Sequence, residues 1–261
     1  MPVPDLPPNQ PRHSNLSTTE TPWLPWCPDG GDPRVRLYCL PHAGGSAAVY
    51  RKWIGLAAEG GIALVPVEFP GRGTRFKEPA FDDVAMLART FVDNVVGDSP
   101  ISFGLFGHSA GAIAAAAIAV EMDRRHLPLR HLFVSGAIPP GAATSSMWHR
   151  LDHDDLIAEL TSLGGTPDGV MSHPELMELL LPAVRADLTS AETAPTIRDR
   201  SLDCPVTAYS AEADPTAPHD LVSTWERVSS GPFSHRQFPG HHFYLQDHWQ
   251  QLVDDMSDRL L

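Results

Sequence analysis

The chain has 261 residues, 42% of them hydrophobic and 20% charged, with a formal net charge of −13. That length suits one α/β domain with a substantial core. The acidic balance, with no Lys/Arg-rich block, argues against nucleic-acid binding, and no apolar run is long enough to span a bilayer.

In chain order, residues 1–26 are rich in Pro, Ser and Thr. They lack a basic stretch followed by an apolar one, so they read as a flexible N-terminal arm and not as a signal peptide, leaving 27–261 as the folded domain. Residues 35–40 form a strand, 46–58 suit a helix and 62–68 form the next strand. Phe81, Val84, Ala85, Leu87, Ala88, Phe91, Val92 and Val95 recur at helical spacing over 81–96. A strand over 101–106 and an alanine-rich helix over 110–122 follow, then a strand over 132–136. Helical patterns cover 152–163 and 175–190. Strands over 206–210 and 236–238 alternate with helical stretches over 221–228 and 246–260. Strands alternating with helices imply a mostly parallel central sheet with helices on both faces. The stretch from about 142 to 200 is longer than one crossover needs, and reads as a helical lid inserted above the C-terminal strand ends.

Gly107-x-Ser109-x-Gly111 lies between the 101–106 strand and the 110–122 helix. This is the context of a nucleophile elbow, in which a serine sits on a tight strand-to-helix turn above an α/β-hydrolase sheet. A serine hydroxyl needs a base to take its proton and a carboxylate to orient that base. In this fold the acid follows a late strand and the histidine the last one. Glu212 and Asp214 follow the 206–210 strand, and His241 and His242 follow the 236–238 strand. The oxyanion of an acyl-transfer intermediate needs two N–H donors. Ala110, after the serine, supplies one. Ala43, in the Gly44-Gly45 loop after the first strand, supplies the other. No His/Cys/Asp spacing suggests a metal site. The three cysteines, Cys27, Cys39 and Cys204, are widely spaced without a CxxC, as expected of reduced thiols in a cytoplasmic protein.

Five segments occur in order: Leu40-Pro41-His42-Ala43-Gly44-Gly45-Ser46, Phe69-Pro70-Gly71-Arg72-Gly73-Thr74-Arg75, Gly107-His108-Ser109-Ala110-Gly111, Leu181-Pro182-Ala183-Val184-Arg185-Ala186-Asp187 and Pro239-Gly240-His241-His242-Phe243. Together they resemble the type II thioesterases that accompany polyketide and nonribosomal peptide synthases, over a span from about Val35 to the C-terminus. The resemblance implies an α/β-hydrolase that cleaves acyl thioesters from the phosphopantetheine arm of acyl or peptidyl carrier proteins, for editing or product release. It implies a monomer without cofactor or metal. It selects Ser109 as nucleophile, His242 over His241 as base, and Asp214 over Glu212 as the orienting acid. The chain departs from the family at Ala110, where Met is frequent, at His241, where a second Gly is common, and at Leu188, where an aromatic often stands. The departures at Ala110 and Leu188 bear on pocket shape, and that at His241 bears on which histidine is the base. Carrier proteins are acidic, as this chain is, so docking would need a local basic patch. Arg72, Arg75 and Lys77 are the candidates, with Arg51 and Lys52 nearby. A serine esterase or lipase acting on free oxygen esters would share the triad, and is the alternative.

Overall fold

The computed structural model describes residues 21–26, 34–54, 62–97, 102–142, 146–164, 174–197 and 201–261. Six strands form its sheet: β1 (Val35–Leu40), β2 (Ile62–Pro66), β3 (Ser102–His108), β4 (His131–Ser135), β5 (Val206–Ala211) and β6 (Phe233–Phe238). Their order is β2-β1-β3-β4-β5-β6, and every neighbouring pair is parallel. Leu40 pairs with Gly107, and His108 with Ser135. The C-terminal ends of β1, β3 and β4 therefore finish level, and the loops leaving them share one side of the sheet.

Alternation along each strand sends side chains to two cores, because successive Cβ atoms point to opposite faces. Tyr38, Leu40, Val65, Phe103, Leu105, Leu132, Val134, Val206 and Ala208 face one side. Val35, Leu37, Leu64, Phe106, Phe133, Tyr209 and Ala211 face the other. The first face is covered by helices α1 (Val84–Phe91) and α2 (Ala110–Arg124), the second by a 3-10 helix (Ala47–Trp53) and the C-terminal helix α6 (Trp249–Leu260). With both faces covered, the central strands can be apolar on both sides. Among the described residues the remaining α-helices are α3 (His153–Ser162), α4 (Pro174–Glu192) and the short α5 (His219–Val222).

Local chemistry moved several boundaries. The helix expected over 46–58 is a 3-10 helix over Ala47–Trp53, where the Ser46 hydroxyl accepts from the Ala48 N–H; 55–58 lie outside the described residues. The helix expected from 81 begins at Val84, because the Asp83 carboxylate caps the Ala85 and Met86 N–H groups. It closes in a π turn over Val92–Val96. Strand β6 starts at Phe233 instead of 236. It is the outer strand of the sheet, and its half-exposed polar residues hide the strand pattern.

The N-terminal arm needs a larger correction. Trp23 and Leu24, within the stretch assigned to it by composition, pack into the core. Trp23 is buried against Phe69, Phe81 and Phe91, with ring centroids 5.8–6.4 Å apart. Its carbonyl accepts from the Glu68 N–H at 2.8 Å. Residues 1–20 lie outside the described residues, as does Cys27. Cys39 and Cys204 are free and buried, and burial pushes both thiols up, that of Cys204 to about 12.

Between β4 and β5 the chain inserts α3 and α4. The carboxylate of Glu192, in the last turn of α4, accepts from the Trp148 and His149 N–H groups at 2.9 and 3.0 Å and lies 2.5 Å from His149 Nδ1. Arg185 donates to the carbonyls of His149 and Leu151. These bonds fix the 146–151 segment to α4. Among the described residues no helix is long and apolar enough to cross a membrane.

Candidate active site

Ser109 stands between β3 and α2 with φ 55° and ψ −124°, a backbone conformation that side chains other than glycine seldom adopt. Close packing on both sides sustains it. A Cβ on Gly107 would lie 2.0 Å from the Gly111 carbonyl oxygen, and one on Gly111 would lie 2.4 Å from the carbonyl oxygens of Leu40 and Pro41. Only glycines let α2 start this close to β1 and β3. The Ser109 N–H donates to the Ser135 carbonyl at 2.8 Å, which pins the turn to the end of β4.

Asp214 follows β5 and His242 follows β6, and the two meet: His242 Nδ1 lies 2.7 Å from Asp214 Oδ2. Both side chains are buried. Thr216, which sequence reasoning did not single out, donates to the other oxygen of Asp214 from its N–H at 2.9 Å and its hydroxyl at 2.8 Å. Its hydroxyl is also 3.1 Å from His242 Nδ1. Burial by itself would raise the Asp214 carboxyl. The hydrogen bond from His242, the charge of that ring and the two donors of Thr216 outweigh burial and hold it below the usual carboxylate range. With Nδ1 so engaged, Nε2 of His242 is buried without a hydrogen-bond partner. His242 and Ser109 line the same two cavities. Glu212, His241 and Asp220 are exposed; His241 Nδ1 faces the Ala213 carbonyl at 3.3 Å.

Ala110 is the first residue of α2, so its N–H has no carbonyl one turn earlier to bond. Ala43 follows β1 and lines the smaller cavity with Ser109. The Ala43 loop is held through its neighbours. Gly44 N–H donates to Asp187 Oδ2 at 2.8 Å, and Gly45 N–H to the His42 carbonyl at 2.9 Å.

Three histidines crowd the serine. His42, His108 and His242 have ring centroids 4.9–6.3 Å apart in neighbouring pairs. Desolvation by burial, then the charges of His242 and Arg72, lower His42 to about 4. Burial lowers His108 still more strongly, so it stays neutral. Its Nδ1 bonds the Ser135 hydroxyl at 2.9 Å, and that hydroxyl bonds Tyr244 at 2.6 Å. This buried chain is structural scaffolding under the elbow.

Two cavities meet at Ser109. The smaller, about 130 Å³, runs under α4 and is walled by apolar side chains including Leu160, Met177, Leu181 and Val184. The larger, about 560 Å³, opens toward Ser146, Glu159, Glu192 and Thr216. Trp148, Leu163 and Leu188 border both.

The docking candidates separate. Arg72 is 2% exposed, and pairs with both oxygens of Asp187 at 2.5 and 2.7 Å. Arg75 is buried over the Trp23 ring at 4.4 Å and bonds Glu78 and the Glu68 carbonyl. Neither guanidinium offers a free charge to a partner, because each is spent inside the fold. Lys77 is exposed, as are Arg51 and Lys52.

The thioesterase-domain family model matches residues 35–260. Thioesterase PikA5 of Streptomyces venezuelae is 38% identical over 231 residues, which are 87% of this chain and 81% of that protein. The solved type II thioesterase BorB from the borrelidin biosynthetic cluster superposes with a TM-score of 0.84 at 31% identity, covering 94% of this chain and all of that one. RedJ, the thioesterase of the prodiginine pathway in Streptomyces coelicolor, does so with a TM-score of 0.80 at 32% identity, covering 91% of this chain and 98% of its own. With a parallel sheet, an elbow serine and these relatives, the chain belongs to the thioesterase family and is a serine hydrolase of the α/β-hydrolase fold that cleaves thioesters.

Proposed function

We propose that the chain hydrolyses acyl thioesters on the phosphopantetheine arm of acyl or peptidyl carrier proteins, editing or releasing intermediates of polyketide or nonribosomal peptide biosynthesis. The kinship with PikA5, BorB and RedJ supports the pathway class. One observation carries the chemistry: His242 has Nδ1 committed to Asp214 and Nε2 unpartnered, and its ring lines, with Ser109, the same two cavities.

On this reading Ser109 Oγ attacks the thioester carbon while its proton passes to His242 Nε2. The carbonyl electron pair moves onto oxygen, and the N–H groups of Ala43 and Ala110 receive the oxyanion. The intermediate collapses, the carbon–sulfur bond breaks, and the sulfur leaves with the proton from His242. Water then attacks the acyl-serine, again giving its proton to His242, and the acid departs as Ser109 regains a proton. Asp214 holds the ring in the tautomer that both steps need and stabilises its charged form. The apolar cavity under α4 suits the acyl chain, and the wider cleft with its polar groups suits the pantetheine arm. Within the 142–200 insertion, the described helices α3 and α4 act as the lid over both. For the carrier, Lys77 on the loop after β2, with Arg51 and Lys52 on the 3-10 helix after the neighbouring strand β1, is the basic surface.

Mass spectrometry of a panel of acyl-carrier proteins, before and after incubation, tests this. Loss of the acyl mass with the native chain but not with Ser109→Ala supports it. Faster cleavage of the matched free oxygen ester than of any acyl-carrier protein would show an esterase instead.

A further inference from the structure

Ala43 can serve an oxyanion only if its own N–H stays free, so it must be positioned through the groups of the residues that follow it. Two such holds are present, and both lead to one carboxylate. Gly44 N–H donates to Asp187 Oδ2 at 2.8 Å. The Gly45 carbonyl accepts from Arg72 Nη1 at 3.4 Å, and the same nitrogen is 2.5 Å from Asp187 Oδ2. Arg72 is itself anchored by its Nε and Nη2 to the Pro70 carbonyl at 3.3 and 3.2 Å. Asp187 lies on α4, three residues after Val184, and this spacing puts both on one helix face. Gly44 has φ +71°, and a Cβ there would meet Val184 Cγ2 at 2.5 Å. The loop thus meets α4 at two successive positions, one apolar and one charged. Val184 also walls the apolar cavity.

We propose that Asp187, neutralised by Arg72, is a positioning residue that holds the Ala43 peptide in donor geometry, so the oxyanion hole is completed by the helix that also walls the apolar cavity. The proposal rests on the reading of Ser109 as nucleophile and Ala43 as oxyanion donor. Asp187 touches no reacting atom. It acts through Gly44, by fixing the peptide that follows Ala43. A displaced α4 would release Gly44 N–H and leave the hole with the Ala110 donor alone.

A pair of inhibitors separates this role from a structural one. An acyl trifluoromethyl ketone is attacked by Ser109: the oxygen–carbon bond forms, the serine proton goes to His242, and the carbonyl pair becomes an oxyanion seated in the hole. The matched thioether fills the same cavities without an oxyanion. The affinity ratio of ketone to thioether reads serine addition and its oxyanion seat, apart from the filling of the cavities. The variants are Arg72→Met/Asp187→Ala, which removes the ion pair and the Gly44 acceptor, and Arg72→Met/Asp187→Asn, which removes the ion pair but keeps an acceptor. The first should lose about 10²-fold in the ratio and in kcat, the size of one lost oxyanion donor, with KM changed less than about threefold. The second should recover at least about tenfold of that loss. An unchanged ratio in the first, or equal losses in both, overturns the proposal. Should the first fail to fold by circular dichroism, Asp187→Ala is compared with Asp187→Asn; a ratio at least about fivefold lower in the alanine variant supports the proposal, and a smaller difference overturns it. Wild type and Ser109→Ala serve as references. If wild type itself prefers the ketone no more than Ser109→Ala does, the serine and oxyanion reading fails and the proposal falls with it. If wild type prefers it and the variants match wild type, the clamp alone fails.

Discussion

The Thr216 hydroxyl donates to Asp214 Oδ1 at 2.8 Å, and the Thr216 N–H donates to the same oxygen at 2.9 Å. Asp214 is therefore held by two donors on one oxygen and by His242 on the other. Thr216→Val keeps the N–H and the shape but removes the hydroxyl. It should lower kcat on an acyl thioester by about tenfold, in line with one lost hydrogen bond to a charged group of about 1.5–3 kcal/mol. Asp214→Asn should cost about 10⁴, because the ring is then free to take the wrong tautomer. Thiol release followed by a colorimetric trap gives both numbers. A larger loss in Glu212→Gln than in Asp214→Asn would show that the acid is misplaced.

The adjacent histidines should respond very differently. His242 is buried against Asp214, whereas His241 is exposed beside the Ala213 carbonyl. His242→Ala should be nearly inactive and His241→Ala within about fivefold of wild type. Ser109→Ala should lose on the order of 10⁶ in kcat. The reverse ranking of the histidines, measured on the same thioester, would move the base to His241.

Acid should destabilise the fold through buried neutral histidines. His131 bonds Thr207 Oγ1 at 2.8 Å and stacks on Phe133 at 4.1 Å between centroids. Desolvation by burial, then the Arg259 charge, lowers its folded-state pKa from 6.5 to about 4. Between those values the unfolded chain binds a proton that the folded chain does not. Stability is then fully present above about pH 6.5 and lost as pH falls toward about 4, by at most about 1.4 kcal/mol per pH unit for each such histidine. His42 and His235, also lowered to about 4, add to the slope. Urea midpoints measured from pH 7 to 4 should fall, and His131→Gln should flatten the curve by about one proton. A curve equally steep in the variant would remove His131 from the cause.

The basic residues of the 69–77 loop and of the 3-10 helix after β1 should separate by burial. Arg75→Ala removes a guanidinium that lies over Trp23 and bonds Glu78, so thermal melts should show a loss of about 1–2 kcal/mol. Lys52→Glu/Lys77→Glu changes exposed charges alone. It should raise KM for an acyl-carrier protein several-fold, leave a small acyl-pantetheine unaffected, and lose its effect at high salt, where exposed charges are screened. Equal losses on both substrates would assign these lysines to pocket shape.

Much of this molecule was legible because local patterns carried it. The bounds of β1 could be read from six consecutive residues, five of which fill the two cores. The elbow could be read because its glycines are a steric necessity of one short turn. Trp23 was missed because a single aromatic that docks from a proline-rich stretch leaves no periodic signal. The Arg72–Asp187 pair was missed for a different reason. Its members are 115 residues apart, and composition presents each as an ordinary surface charge until the fold buries them together. Thr216 had a weak signal, since a hydroxyl two residues after Asp214 is placed to bond its carboxylate, but side-chain turns of this kind are common and do not mark a site.

The seat of Trp23 has a consequence for where the chain can be shortened. Its carbonyl holds the Glu68 N–H, its ring carries the Arg75 guanidinium, and Arg75 in turn holds the Glu68 carbonyl. The loop so braced is the one that presents Arg72 to Asp187, and through Asp187 reaches Gly44. A truncation that begins at residue 27 would strip an indole from the core and leave this loop without its brace. The damage would surface as slowed turnover at a serine more than eighty positions downstream, with every residue of the catalytic group intact.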